Sequence, residues 1–224
     1  MIKLNQVHHL AIICSDYPAS KLFYTEVLGF VVAAEHYRAE RKSYKLDLKL
    51  GDQYVLELFS FPDSPKRPSR PEACGLRHLA FEVDDVALAV EIKPPMIKLN
   101  QVHHLAIICS DYPASKLFYT DVLGFVVAAE HYRKERKSYK LDLKLGDQYV
   151  IELFSFPDSP KRPSRPEGCG LRHLAFEVDD VLMATEELRA KGIACEPIRT
   201  DEYTGKRFTF FSDPDDLPLE LYEK

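Results

Sequence analysis

Several things are missing from this chain. No apolar run approaches the roughly 20 residues needed to cross a bilayer as a helix, and the opening Met1-Ile2-Lys3-Leu4-Asn5-Gln6 lacks the apolar core of a secretion signal. Cysteine is sparse and odd in number, five in 224 residues, which fits a reducing compartment better than a disulfide framework. Net charge is only -5, so neither nucleic acid nor an anionic membrane is an expected partner. A Gly-rich phosphate loop, a nucleophile elbow and a Cys–His dyad are also missing. What remains is a cytoplasmic globular protein acting on a small molecule, with 46% hydrophobic residues to build a core and 29% charged residues to keep it in water.

The chain repeats itself at two scales. Residues 1–86 match residues 96–181 at an offset of 95, with four substitutions: Glu26/Asp121, Ala39/Lys134, Leu56/Ile151 and Ala73/Gly168. The first copy then ends through Pro94-Pro95, a stiff joint, and the second restarts at Met96. This divides the chain into a truncated copy, 1–95, and a complete one, 96–224. The smaller repeat lies inside the second copy: His104 and His173 are 69 apart, Glu152 and Glu220 are 68 apart. Each half, about 96–156 and 170–224, reads as a strand bearing a His, a helix, and strands ending in one whose central Glu is flanked by apolar residues. Helices are expected at Pro113–Leu123 and Val181–Lys191, and strands at Val126–Tyr132, Ser138–Leu145, Ile193–Ile198 and Phe208–Phe211. In the His strand, His104, Ala106 and Ile108 share one face, and Leu105, Ile107 and Cys109 the greasier other. The Pro-rich basic stretch 156–166 is expected to be a loop. The resulting fold class is α+β, with paired βαβββ modules in a cupped, partly open barrel-like sheet.

A glutamate in the middle of an apolar strand is costly to bury unpaired. Two, one per repeat, ask for a common partner. If the halves pack with approximate twofold symmetry, His104, Glu152, His173 and Glu220 converge, and two neutral imidazoles with two carboxylates suit a divalent ion: Ni, Zn, Fe, Mn or Co. The alternative is that each His caps a strand and each Glu meets a Lys or Arg. The truncated copy retains His9, Glu57 and His78 but no counterpart of Glu220, so one four-ligand site forms per chain, and the short connection favours 96–224. First modules of two chains could instead pair through His9 and Glu57, and the strand Leu76–Val83 is left with an exposed edge. His103 and His131, without counterparts, read as surface residues. Arg133, Arg162, Lys206 and Arg207 are candidates for binding an anionic substrate.

His104-Leu-Ala-Ile-Ile-x-x-Asp111, Phe118-Tyr119-x-x-Val122-Leu123-Gly124-Phe125, Ile151-Glu152-Leu153, Arg172-His173-Leu174-Ala175-Phe176 and Asp213-Pro214-Asp215-x-x-Pro218-Leu219-Glu220-Leu221 resemble the vicinal oxygen chelate superfamily, and within it the small bacterial glyoxalase-I-like metalloproteins labelled lactoylglutathione lyase. One departure is Asp216, where the family has Gly; Asp tolerates the left-handed backbone at modest cost. The resemblance implies paired modules around one metal held by His104, Glu152, His173 and Glu220, commonly in dimers. It also implies a lyase or isomerase acting on an α-oxo or hemithioacetal-like substrate, with glutathione or another thiol as cosubstrate. Glu220 would carry the proton, with Glu152 as its pseudosymmetric partner. Alternatives on the same scaffold are a thiol transferase, a ring-cleaving dioxygenase and a non-catalytic module that sequesters ligands, as in bleomycin resistance.

Overall fold

The computed structural model describes residues 2–68, 70–91 and 97–224; the expected Pro94-Pro95 joint lies outside them. In the first copy β1 (Gln6–Cys14), α1 (Tyr17–Leu22), β2 (Val31–Arg38), β3 (Ser43–Leu50) and β4 (Gln53–Ser60) form one βαβββ module, and β5 (Gly75–Glu82) and α2 (Val86–Glu91) begin a second. The second copy repeats this as β6 (Gln101–Cys109), α3 (Tyr112–Leu117), β7 (Val126–Arg133), β8 (Ser138–Leu145) and β9 (Gln148–Ser155). It then completes its other module with β10 (Gly170–Val178), α4 (Val181–Ala190), β11 (Arg199–Thr200), β12 (Arg207–Ser212) and β13 (Pro218–Glu223).

Local chemistry explains the helix starts. The Asp111 carboxylate accepts from the Ala114 amide at 3.0 Å, with Pro113 in the first turn, and Asp180 accepts from the amides of Leu182 and Met183 at 2.8 and 3.1 Å. The helix expected over 113–123 is α3 followed by a wider π turn over Phe118–Val122. Residues 193–198 form no strand. They contribute a single bridge, Cys195 to Phe211, and the chain pairs regularly only at the two residues of β11. Asp216 does adopt the left-handed backbone, at φ 61.

Strand pairing departs from the expected division. The larger sheet runs β11-β12-β13-β10-β1-β4-β3-β2, and the smaller β5-β6-β9-β8-β7. The half 170–224 therefore joins residues 6–60 of the first copy, not 101–155 of its own. The His strand of the second copy pairs instead with β5. The expectation that 96–224 closes one cup by itself is corrected: each copy lends its last module to the other. The connections, 61–74 and 156–169, are Pro-rich. They cross and clasp each other, Cys169 N–H donating to the Pro65 carbonyl and Cys74 N–H to the Pro160 carbonyl, both at 2.8 Å. At the crossing Gly75, at φ 98, lies under Arg162, whose Cδ would be 2.8 Å from an added Cβ, so both backbone and space require glycine there.

One hydrophobic core serves both sheets. Leu10, Leu56, Leu174 and Phe176 from the larger meet Leu105, Ile107 and Ile151 from the smaller, with Tyr119 and Leu123 between. Phe125 and Phe176 stack edge to face at 5.8 Å. The opposite strand face carries the lighter residues expected of it. Ala11 and Ile13 pack there on Phe59, and Ala106 and Ile108 on Phe154. The alternation of the His strands thus sorts core from cup.

The turn between β12 and β13 is held by a buried carboxylate. Asp213 accepts hydrogen bonds at 2.9 Å from the Tyr119 hydroxyl and from the amides of Asp215 and Leu217. Burial outweighs these bonds and pushes Asp213 up to about 6. A carboxyl raised in the folded state contributes stability that is present below its ordinary 3.8 and is lost as pH rises through 6. The gap, at about 1.4 kcal/mol per pH unit, is about 3 kcal/mol. Asp213→Asn, which keeps an acceptor for the two amides, should therefore gain on the wild type by up to about 3 kcal/mol between pH 4 and pH 7.5 in urea denaturation. A pH-independent difference between the two proteins would refute this assignment.

Candidate metal centre

The site follows from strand register. In the antiparallel β1–β10 ladder His9 faces Ala175 and Ala11 faces His173. In the two parallel ladders Ala11 sits beside Glu57 and Ala175 beside Glu220. Each His is thus followed two residues later, on the same face, by an alanine that leaves room for the neighbouring strand's glutamate. All four side chains are buried. His9 Nε2 and His173 Nε2 are 3.1 Å apart; Glu57 Oε2 lies 3.3 and 3.8 Å from them, and Glu220 Oε2 3.3 and 3.1 Å. The converging set is His9, Glu57, His173 and Glu220. Of the four expected ligands the structure brings together His173 and Glu220 only. His104 and Glu152 lie in the smaller sheet, where they meet His78. Within the chain, His9 and Glu57 are completed by the last module, through β10 and β13.

Supporting groups fix the orientation of these donors. Lys45 Nζ and the Tyr54 hydroxyl, each 2.8 Å from Glu57 Oε1, hold that oxygen and leave Oε2 facing the histidines, and Lys45 is itself held by Asp47 at 2.6 Å. A register shift between Val7 and His9 makes His8 the extra residue of a bulge, and its Nδ1 meets His9 Nδ1 at 2.8 Å. A second shift, in the same ladder, places Arg172 3.3 Å from His173 Nδ1. Strict alternation hid these partners. His103 is exposed, as expected, and as the bulge residue of the smaller sheet it also meets His104 Nδ1 at 2.7 Å. The signal for the lysine was Lys45-x-Asp47 on a strand adjoining the glutamate strand, where Asp47 pairs with Glu57.

Electrostatics suit a cation. Burial disfavours charge on His9, but Glu57 and Glu220 outweigh it and carry His9 up to about 10. Burial would likewise raise Glu220, yet the hydrogen bonds and charges of His173 and His9 hold it at about 2, and Glu57 is also driven well below the usual carboxylate range. Burial pushes His173 down, keeping it neutral. His9, Glu57 and His173 thus offer donor atoms within 4.8 Å of one another, with Glu220 Oε2 beside both imidazoles, and a divalent ion fits this set by both charge and donor type. Ligand binding there would release the His9 proton.

The centre borders two cavities. The larger, about 1390 Å³, is reached by Glu57, His173 and Glu220 and walled by Phe208, Phe210, Arg38 and Arg172. The smaller, about 320 Å³, is reached by His9 and Glu57. Of the expected anion-binding residues, Arg162 lines the larger cavity but bonds the Arg172 carbonyl at 2.9 Å, and Lys206 lines the smaller and bonds the Lys224 carbonyl at 2.5 Å. Arg207 is paired with Glu223, its Nε 2.9 Å from Oε2. Arg133 lies over the Phe154 ring at 4.8 Å, on the His104 side of the molecule.

The chain is 63% identical to "Uncharacterized protein YaeR" of Escherichia coli K12 over 129 residues, which are 58% of this chain and 100% of that protein. It is 31% identical to a 2-epi-5-epi-valiolone epimerase from Actinomyces sp over 141 residues, 54% of this chain and 77% of the epimerase. Its fold superposes on glyoxalase I from Zea mays with a TM-score of 0.73 at 16% identity, covering 97% of this chain and 92% of that one, a likeness of fold alone. The family model for the glyoxalase/bleomycin resistance protein/dioxygenase superfamily matches residues 6–92 and 101–221, and with the paired modules and their buried His and Glu residues this establishes that the chain belongs to that superfamily.

Proposed function

We propose that His9, Glu57, His173 and Glu220 hold one divalent ion, and that the protein is a glyoxalase-I-like lyase or isomerase moving a proton at a carbon next to an oxygen of a small α-oxo or hemithioacetal-like substrate. The observation that carries this reading is the meeting of buried donors from four strands: His9, Glu57 and His173 within 4.8 Å of one another, and Glu220 Oε2 3.3 and 3.1 Å from the two imidazoles. The ion, when bound, would offset negative charge developing on the substrate oxygens.

The two glutamates differ in a way that assigns their roles. Glu57 is anchored through Oε1 by Lys45 and Tyr54 and serves as a fixed ligand. Glu220 meets the histidines through Oε2 and faces the larger cavity, so its carboxylate is the one free to take and return a proton. Phe208 and Phe210 give that cavity an apolar wall, and Phe210 packs edge to face on His173 at 5.1 Å. Arg38, stacked over Phe59 at 4.9 Å, places positive charge on the cavity wall, where the carboxylate of a thiol conjugate such as a glutathione adduct would be held; Arg172, over the same ring at 5.3 Å, is paired with Glu167 at 2.8 Å.

The resemblance to a valiolone epimerase supports the same chemical core, since epimerisation also removes and returns a proton beside an oxygen-bearing carbon. The test is a methylglyoxal-plus-glutathione assay on protein stripped of metal and reloaded with Ni, Zn, Mn, Fe or Co. Product formed with at least one metal supports the lyase reading. Silence with all five, together with solvent deuterium entering an α-hydroxyketone, would replace it with the epimerase reading. Silence in both assays would overturn proton transfer.

A further inference from the structure

The smaller sheet holds a second cluster that the proposed function does not use. His78 on β5, His104 on β6 and Glu152 on β9 meet at the same register as the first centre: His78 faces Ala106, Ala80 faces His104, and Ala106 sits beside Glu152. His78 Nε2 and His104 Nε2 are 3.2 Å apart, and Glu152 Oε2 lies 3.8 and 3.2 Å from them. Orienting groups recur as well. Lys140 Nζ holds Glu152 Oε1 at 2.8 Å while itself paired to Asp142 at 2.5 Å, and His103 meets His104 Nδ1 at 2.7 Å. Three donor atoms thus lie within 4.8 Å of one another, and two of them, on Glu152 and His104, are held by partners on their far sides, the arrangement that supports metal ligands.

Two features separate this cluster from the first. Its fourth donor is missing for a reason visible in the chain. Glu220 is carried by β13, which pairs with β10, whereas β5 pairs with β6 and, among the described residues, no further strand continues the smaller sheet beyond it. The cluster is also open to solvent: the His78 side chain is 40% exposed against 3% for His173.

From this geometry we infer that His78, His104 and Glu152 form a second divalent-cation site, with three protein donors and its remaining coordination positions open to water or to a small oxygen ligand. One carboxylate fewer means less charge to hold the ion, so this site binds more weakly than the buried one by at least about tenfold. The inference stands apart from the proposed function, because neither the occupancy nor the residues of the two sites overlap.

Equilibrium dialysis of the metal-stripped full chain against Co²⁺, with metal counted by mass spectrometry, tests it. The wild type should take up two ions per chain in two phases. His78→Gln, a change at a half-exposed side chain, should remove the weaker phase alone, and Glu152→Gln should do the same while circular dichroism stays unchanged. One ion per chain in the wild type, or two ions retained in both variants, would overturn the second site. A single ion lost in Glu57→Gln would leave the first centre standing, and no uptake at all would count against both.

Discussion

Replacing Glu220 with Gln is expected to lower kcat by about 10²–10⁴-fold at saturating metal, the usual contribution of a positioned proton carrier. The amide keeps an oxygen where Oε2 sits, so His9, His173 and Glu57 continue to hold the ion and the loss falls on turnover. Glu57→Gln should behave differently. It removes the charge to which Lys45 and Tyr54 are bonded, 2.8 Å away in each case, so its main effect is on metal affinity, and turnover returns when more metal is supplied. Steady-state kinetics on the two variants across a metal titration separate the roles. A Glu220→Gln protein within tenfold of wild-type kcat would remove Glu220 from proton transfer, and equal kcat losses in both would dissolve the distinction between ligand and base.

The second large effect concerns which histidine completes the buried centre. His9→Ala should cost the tight site more than the about 10–100-fold that a merely supporting residue costs, because it deletes a donor lying 3.1 Å from His173 Nε2. His104→Ala should leave the tight phase within about twofold, since its partners are His78 and Glu152 on the other sheet and separated sites act independently. The two substitutions are the same change at equivalent positions of near-identical copies, so the contrast isolates the crossed pairing of strands. If His104→Ala abolishes the tight phase and His9→Ala spares it, the copies pair within themselves and the exchanged arrangement is wrong.

Much of the site was legible along the chain. The spacing of His104, His173, Glu152 and Glu220 identified the kinds of strand and the face each residue occupies, and His173 and Glu220 do meet. His8 and His103 were hidden because a bulge breaks the two-residue period on which such readings depend. Lys45 was hidden because its link to Glu57 runs across neighbouring strands, a proximity that appears only once register is set, and Tyr54 because a register shift at Val55 breaks the two-residue period between it and Glu57 on the same strand.

By itself, the order of amino acids determined the modules, the cup-facing histidines and glutamates, and the superfamily's fold class, because strand period, caps and turns are local properties of a few residues at a time. It left open which module closes on which. Val7–Cys14 and Val102–Cys109 are letter-for-letter the same, so β10 meets identical side chains with either, and pairing preference alone has no basis for choice. Tertiary structure decided it, through two stiff proline-rich connections that reach across and clasp each other, and so placed His9 and Glu57 beside His173 and Glu220.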